Sequence, residues 1–523
     1  MKKYIFMMVA ALGLASCSED YLENTPNDAI STTTAFATTE NVALAVNGIS
    51  KMMTTQYLGV QGMNGEGTMK NWYNNFNGND TQKCNQTGWS SLWNNLASYK
   101  TSQTSTYSVY PWYYYYKLIG NANTVIARAQ EAAGPQEEKD FYQAQALVYR
   151  AYSYLQLLSM YSTRWCDSNN GSANGVILRL EETDPSNDLD KGLSTMAECY
   201  GQIYADLDQA ISLFQGSGMT RDGFYLPDLS VAYAVYARAA LYREDWANAD
   251  KYAALARNGY SLMSVSDYKA GFSEENNEWI WGVYEAEDQT LYYYSYFAYI
   301  GSNASASVCR NYPVAISKEL IDQIPVTDVR RDLYLVPESD EEFATMNAAG
   351  RATKGAMFNR AKANGYLYST SYVYGYQQYK FRVAFLPGGG SFHLFRAAEM
   401  YYIQAEADCH LGNDAEAQTL LYEVTKQYDD SLETITETGD ALLEKVKLYR
   451  RFDLFGEGFD WSDCKRWKKD IVRKKLNVAD GLASEGSFHS TFAITIPADD
   501  DSRWIWAIPK KETDYNHAFD LKE

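Results

Sequence analysis

Two segments of this chain repeat one another position by position. Tyr233, Ala237, Trp246, Ala249, Ala253 and Ala256 share their spacing with Tyr401, Ala405, Asp414, Ala417, Leu421 and Val424. A turn divides each segment, Arg243-Glu244-Asp245 in the first and Leu411-Gly412-Asn413 in the second. Small residues at these offsets let two antiparallel helices approach closely, while aromatic and aliphatic positions fill the seam. That spacing is the helix–turn–helix of a tetratricopeptide repeat. Generic packing of Ala-rich helices gives a related pattern, because Ala and Leu favour helix anywhere. A third unit reads as split. Arg150-Ala151-Tyr152 suits a first helix, Ala210 and Phe214 suit a second, and a loop through "CDSNNGSANGV" separates them.

Apolar residues on a 3.6 period predict helices over Phe141 to Tyr161, Met196 to Phe214, Ser230 to Arg257 and Phe395 to Tyr428. Gly216 and Gly218 act as stop signals after the second. Other regions carry no sustained period. Gly59 to Tyr107 is rich in Asn, Gly, Ser, Thr and Trp, Glu278 to Tyr312 has aromatic clusters, and Tyr334 to Gly390 is loop-rich. The fold class that follows is mostly α, a tetratricopeptide-like scaffold of helix pairs with a large loop-rich lobe. Loops held by a rigid scaffold are where function concentrates.

The N-terminus sets the compartment. Lys2 and Lys3 precede a short apolar run, YIFMMVAALGL, too short to span a bilayer. Leu14-Ala15-Ser16-Cys17 then resembles the bacterial lipoprotein box, which implies a signal peptide over residues 1–16, a lipidated Cys17 and a mature domain over 17–523. Each buried methylene contributes about 0.8 kcal/mol, so two or three acyl chains on one residue anchor durably. Ser18-Glu19-Asp20 resembles the acidic signal that sends lipoproteins of Bacteroidetes-type bacteria to the outer face of the outer membrane.

Charge and motifs exclude several classes. Lys+Arg number 46 and Asp+Glu 66, a net charge of -20 that opposes polyanionic partners such as nucleic acid. The six cysteines after Cys17 are far apart and form no CxxC pair, which leaves paired zinc sites unsupported. None of the four histidines lies in HExxH or accompanies a GxSxG serine. Asp499-Asp500-Asp501 reads as a solvated turn, and the stretch from Asp167 lacks the closing Glu of a calcium loop. No catalytic residue, metal ligand or cofactor is expected.

Aromatic residues are the richer signal, with Tyr 45 and Trp 12. Flat rings stack on the C–H faces of a sugar while amides and carboxylates bond its hydroxyl rim. Trp72, Tyr73, Trp89 and Trp93, with Asn75 and Asp80 beside them, form one candidate group; Tyr292, Tyr294 and Tyr296 form a second. The competing expectation for each ring is lobe core. "PWYYYYK", Pro111 to Lys117, leads into a helix and reads as packing.

Five stretches together resemble the SusD/RagB family of outer-membrane nutrient-binding lipoproteins. They are "CSEDYLENTPNDAISTTTAFATTENVALAVNGI", "WYYYYKLIGNANTVI", "FRAAEMYYIQAEADCHLGNDAEAQTLLYEV", "LYRRFDLFGEGFDWSDCKRW" and "AIPKKETDYNHAF", in family order over nearly the whole length. One departure is Tyr449, where the family usually places Glu before Arg450-Arg451, and a local salt bridge is expected to change there. The resemblance implies a surface subunit that captures a glycan or oligosaccharide and delivers it to a SusC-like TonB-dependent transporter barrel. It implies a ligand site on the loop-rich lobe and no catalysis. Peptide capture, as in the RagB branch, a carboxylate-dependent surface hydrolase, and a purely structural partner of the barrel are the alternatives.

Overall fold

Proline sits inside the first long helix of the scaffold, and two tyrosines repair the damage. In the computed structural model, which describes residues 35–56, 63–85, 100–182, 190–289 and 294–518, helix α1 spans Thr39–Met52 and α2 spans Thr106–Arg128 with Pro111 within it. Pro111 has no N–H, so the Tyr107 carbonyl loses its helical partner. The Tyr73 hydroxyl donates to that oxygen at 2.7 Å. One residue on, the Tyr161 hydroxyl inserts into the ladder: it accepts from the Trp112 N–H (3.0 Å) and donates to the Ser108 carbonyl (2.5 Å).

The scaffold continues through α3 (Gln136–Tyr161), α4 (Met196–Ser217), α5 (Leu229–Tyr242), α6 (Trp246–Arg257), α7 (Ala397–Leu411), α8 (Asp414–Lys426) and α9 (Gly439–Asp453). Each helix from α2 to α8 packs on the next. Helices α3 and α4 form the split pair expected from sequence, joined by the buried Arg150–Asp206 ion pair at 2.6 Å. The repeated small positions Ala237, Ala249, Ala253, Ala256, Ala405 and Ala417 are fully buried, as close packing requires. Local signals set the boundaries. Thr195 and Glu198 form a capping box at the start of α4, and Gly218 ends it at φ 64. The run predicted from Phe395 begins instead as strand, because Phe395 and Arg396 pair with the strand at Trp279 before α7 starts.

The loop-rich lobe is inserted between α6 and α7, two helices that nevertheless pack together. Within the insert, β2 (Trp279–Val283) pairs antiparallel with β6 (Phe392–Arg396) and β4 (Arg351–Ala352) with β5 (Val373–Tyr374), while β3 (Val314–Ile316) pairs with β1 (Thr81–Lys83), which precedes α2 in the chain. Outside the insert, β7 (Ile471–Arg473) pairs with β8 (Ile494–Ile496). The β2–β6 pair is the hinge of the design, since β6 runs directly into α7.

Buried charges lock that junction. Arg396 bonds Glu278 at 2.7 Å, Glu457 at 2.8 Å and Asp453 at 2.9 Å. Lys380 and His393 also reach Glu457, at 2.5 and 2.7 Å. The Arg396 and Lys380 cations hold the Glu457 carboxyl well below its usual range against the pull of burial, while burial drives His393 down to about 3, so its imidazole is neutral and serves only as a hydrogen-bond partner. Arg238 of α5 grips Glu399 of α7 through two bonds of 2.7 Å and lies 3.4 Å from the Phe395 ring centroid. At the departure Tyr449, Arg450 pairs with Asp463 and Arg451 with Asp80 and Glu319.

Removing one member of a buried pair strands the other, which costs about 3–5 kcal/mol, whereas an exposed pair contributes about 0–1 kcal/mol. Arg238→Ala should therefore lower urea-unfolding stability by several kcal/mol. Lys510→Ala, at the exposed Lys510–Asp514 pair, should leave it nearly unchanged.

Candidate functional site

The two aromatic groups nominated from sequence meet in space. Residues Gly65–Thr68 form one α-helical turn, Met69–Asn74 a π-helical stretch and Asn75–Asn77 a 3-10 turn. A π-helical stretch widens the backbone and recurs near functional sites. It carries Trp72 against Tyr299, edge to face at 5.5 Å, and against Tyr107 at 6.2 Å. The Asn71 amide donates to the Tyr296 carbonyl at 3.0 Å, and the Asn64 amide to the Tyr294 carbonyl at 2.5 Å. The described ends of the segments 57–62 and 290–293 are thus tied to one another.

Most of the nominated residues support this face from beneath. Trp72, Tyr73, Asn75, Asp80 and Tyr296 are 0–3% exposed, which corrects the expectation that they offer faces to a ligand. Their polar atoms explain the burial. Tyr73 serves the carbonyl freed by Pro111. Asn75 donates to the Gly456 carbonyl (2.7 Å) and accepts from the Gly458 N–H (2.8 Å). Tyr296 donates to the same Gly456 carbonyl at 2.8 Å. Asp80 is bound by Arg451. Tyr294 alone among the described candidates is half-buried, beside Tyr299. Trp89, Trp93, Tyr292 and the lipid-bearing candidate Cys17 lie outside the described residues.

Sequence reasoning missed a neighbouring aromatic patch. Tyr284, at the exit of β2, is 53% exposed, and its ring lies 5.7 Å from Tyr225 and 6.5 Å from Phe224. No period links these residues, since they come from two loops that only the fold brings together. The next residue, Glu285, is buried and receives a long bond of 3.4 Å from the Gly390 N–H. Burial pushes its carboxyl up to about 7, opposed by that N–H and by Lys51.

Among the described residues no group of His, Cys, Asp and Glu is placed to hold a metal ion, and no helix is long and apolar enough to cross a membrane. The neighbouring carboxylates Asp80 and Asp460 are fully engaged. Asp460, half-buried, accepts the backbone N–H groups of Asn79, Asp80 and Thr81 at 2.7–2.9 Å, and desolvation with the nearby Asp80 charge raises its carboxyl to about 7.

Comparison with known proteins places the chain. Residues 20–241 match the family profile SusD-like_3, described as "Starch-binding associating with outer membrane", and residues 246–520 match SusD_RagB, described as "SusD family". No curated protein sequence matches. Among solved structures, a SusD-like carbohydrate binding protein from Bacteroides vulgatus superposes with a TM-score of 0.76 at 23% identity, covering 92% of this chain and 97% of that one. A SusD superfamily protein from Bacteroides thetaiotaomicron gives 0.71 at 20% identity, covering 92% and 99%. One from Bacteroides fragilis gives 0.68 at 20%, covering 93% and 99%.

Glu285 generates a pH prediction. Its folded-state carboxyl sits near 7 against 4.5 when unfolded, so the folded state holds the proton more firmly. The stabilisation is complete below pH 4.5 and is lost as pH rises to 7, a change on the order of 3 kcal/mol. Glu285→Gln stays neutral throughout. Urea unfolding should show the variant gaining stability relative to wild type between pH 4.5 and 7.5.

Proposed function

This chain belongs to the SusD family, and from that premise we propose that it is a surface lipoprotein that binds a glycan and passes it to a SusC-like TonB-dependent barrel. The observation that carries the ligand reading is the joining of two distant aromatic loop regions over the Trp72–Tyr299 contact. Tyr294 and the exposed Tyr284 patch lie on the same loop-rich lobe. Tyr292 belongs to the segment 290–293 that ends there and Trp89 and Trp93 to the segment 86–99, and in this reading these three supply the stacking rings. Trp72 and Tyr73 hold the platform in place.

Stability and affinity separate these roles. Trp93→Ala and Tyr284→Ala should weaken retardation in native gels containing the bound polysaccharide by about thirtyfold for a central ring, with melting unchanged. Trp72→Ala should instead cost about 3–5 kcal/mol of stability, as a cavity in a packed interior does. The net charge of -20 also suits a basic peptide, so peptides belong in the same screen; a basic peptide retained where every polysaccharide fails would replace the glycan reading.

Cys17 would be the anchor. Labelled palmitate should enter the wild-type protein in its host and not Cys17→Ala, and label in the variant would remove the anchoring role from this residue.

A further inference from the structure

A groove of about 670 Å³ lies between the 437–451 segment, the turn at 467–469 and the short helix Lys318–Ile321. Through Glu319 and Lys469 it joins a second cavity of about 430 Å³ that reaches Ser487 and Phe488. Both volumes fall in the range of small-molecule sites. The groove opposes the character of the chain. Five basic residues line it against three acidic ones, in a protein of net charge -20.

Its floor is a fixed aromatic ring. Trp467 is half-buried; its indole N–H donates to Glu406 at 2.8 Å, and the Arg466 guanidinium lies 4.6 Å from the ring centroid. Leu448 continues the apolar floor. The turn beside it is strained. Lys468 adopts φ 52, a left-handed conformation uncommon outside glycine and found at functional sites. That turn divides two consecutive lysines. Lys468 reaches Asp167 and Asp499, while Lys469 lines both cavities and makes no ion pair among the described residues. The other groove lysines hold partners weakly enough to exchange them. Lys445–Glu437 and Lys447–Glu444 are pairs with partly exposed members, whose attraction solvent screens.

We propose that this groove is a second saccharide site, selective for an anionic sugar, with Lys469 and Lys447 receiving a uronate carboxylate and Trp467 and Leu448 receiving the ring. A lysine with no ion pair among the described residues, a flat ring fixed at its edge and the side-chain carbonyl of Gln323, whose amide N–H groups bond Glu319 at 2.8 Å, are groups that such a sugar can use. The proposal rests on the glycan reading of the protein and extends it to a charged ligand class.

Calorimetry with tetragalacturonate, and with maltotetraose as the uncharged control, tests it on the full mature chain. Tetragalacturonate should bind wild type, bind at least about tenfold more weakly to Lys469→Glu and to Trp467→Ala, and weaken as salt is raised. Tyr284→Ala should leave that binding unchanged. Equal binding to wild type and Lys469→Glu would overturn the assignment, as would loss in Tyr284→Ala, because the uronate would then occupy the aromatic face. Absence of tetragalacturonate binding would also overturn it. In that case retention of polysaccharide by the aromatic face would leave the glycan reading standing, and loss of both would remove the two together.

Discussion

Everything else in this molecule depends on the burial of Glu457 among Arg396, Lys380 and His393. A carboxylate taken from water is costly unless several donors replace the solvent. Here the donors come from the lobe and from the β6–α7 junction, so the charge is satisfied only when lobe and scaffold are joined. Lys70 extends the same logic by donating to the Glu457 carbonyl at 2.6 Å, which ties the 65–77 turns to that centre. Hydrophobic burial alone is non-directional; the ion network gives the junction one geometry.

The consequence is a division of labour along the chain. Helix pairs repeat, and each buries its small residues against the next. The long insert between α6 and α7 is released from periodicity because β2 and β6 return it to the scaffold at a fixed register. Aromatic side chains then fill two tasks in one lobe. Those beneath, such as Trp72 and Tyr296, bond inward and set the shape. Those at the rim, Tyr284 and Tyr294, keep a surface. The neighbouring carboxylates Asp80 and Asp460 are engaged in the same inward bonding.

The scaffold was legible in the sequence because its signals are local. Ala237 and Ala405 announce themselves by offsets within one helix pair, and Gly218 marks a helix end. The platform was not. Asp80 looks like a sugar-binding carboxylate until Arg451 is placed beside it, and nothing near Asp80 in sequence names that partner. Tyr73 looks like a loop ring until Pro111 frees a carbonyl for it. Phe224 and Tyr284 come from separate loops without a period, so only the fold brings them together. Trp89, Trp93 and Tyr292 remain nominations from sequence.

The central claim is that ligand is taken on the loop-rich face while an ion-locked scaffold stays unchanged. Hydrogen–deuterium exchange tests it most directly, with and without a polysaccharide that retards the protein in native gels. Exchange reports local opening along the whole chain. The account predicts slowed exchange in peptides carrying Trp89 to Trp93, Tyr292 to Tyr294 and Tyr284, with helices α5 to α8 unaltered. Protection confined to those helices, with the loop peptides unchanged, would contradict it.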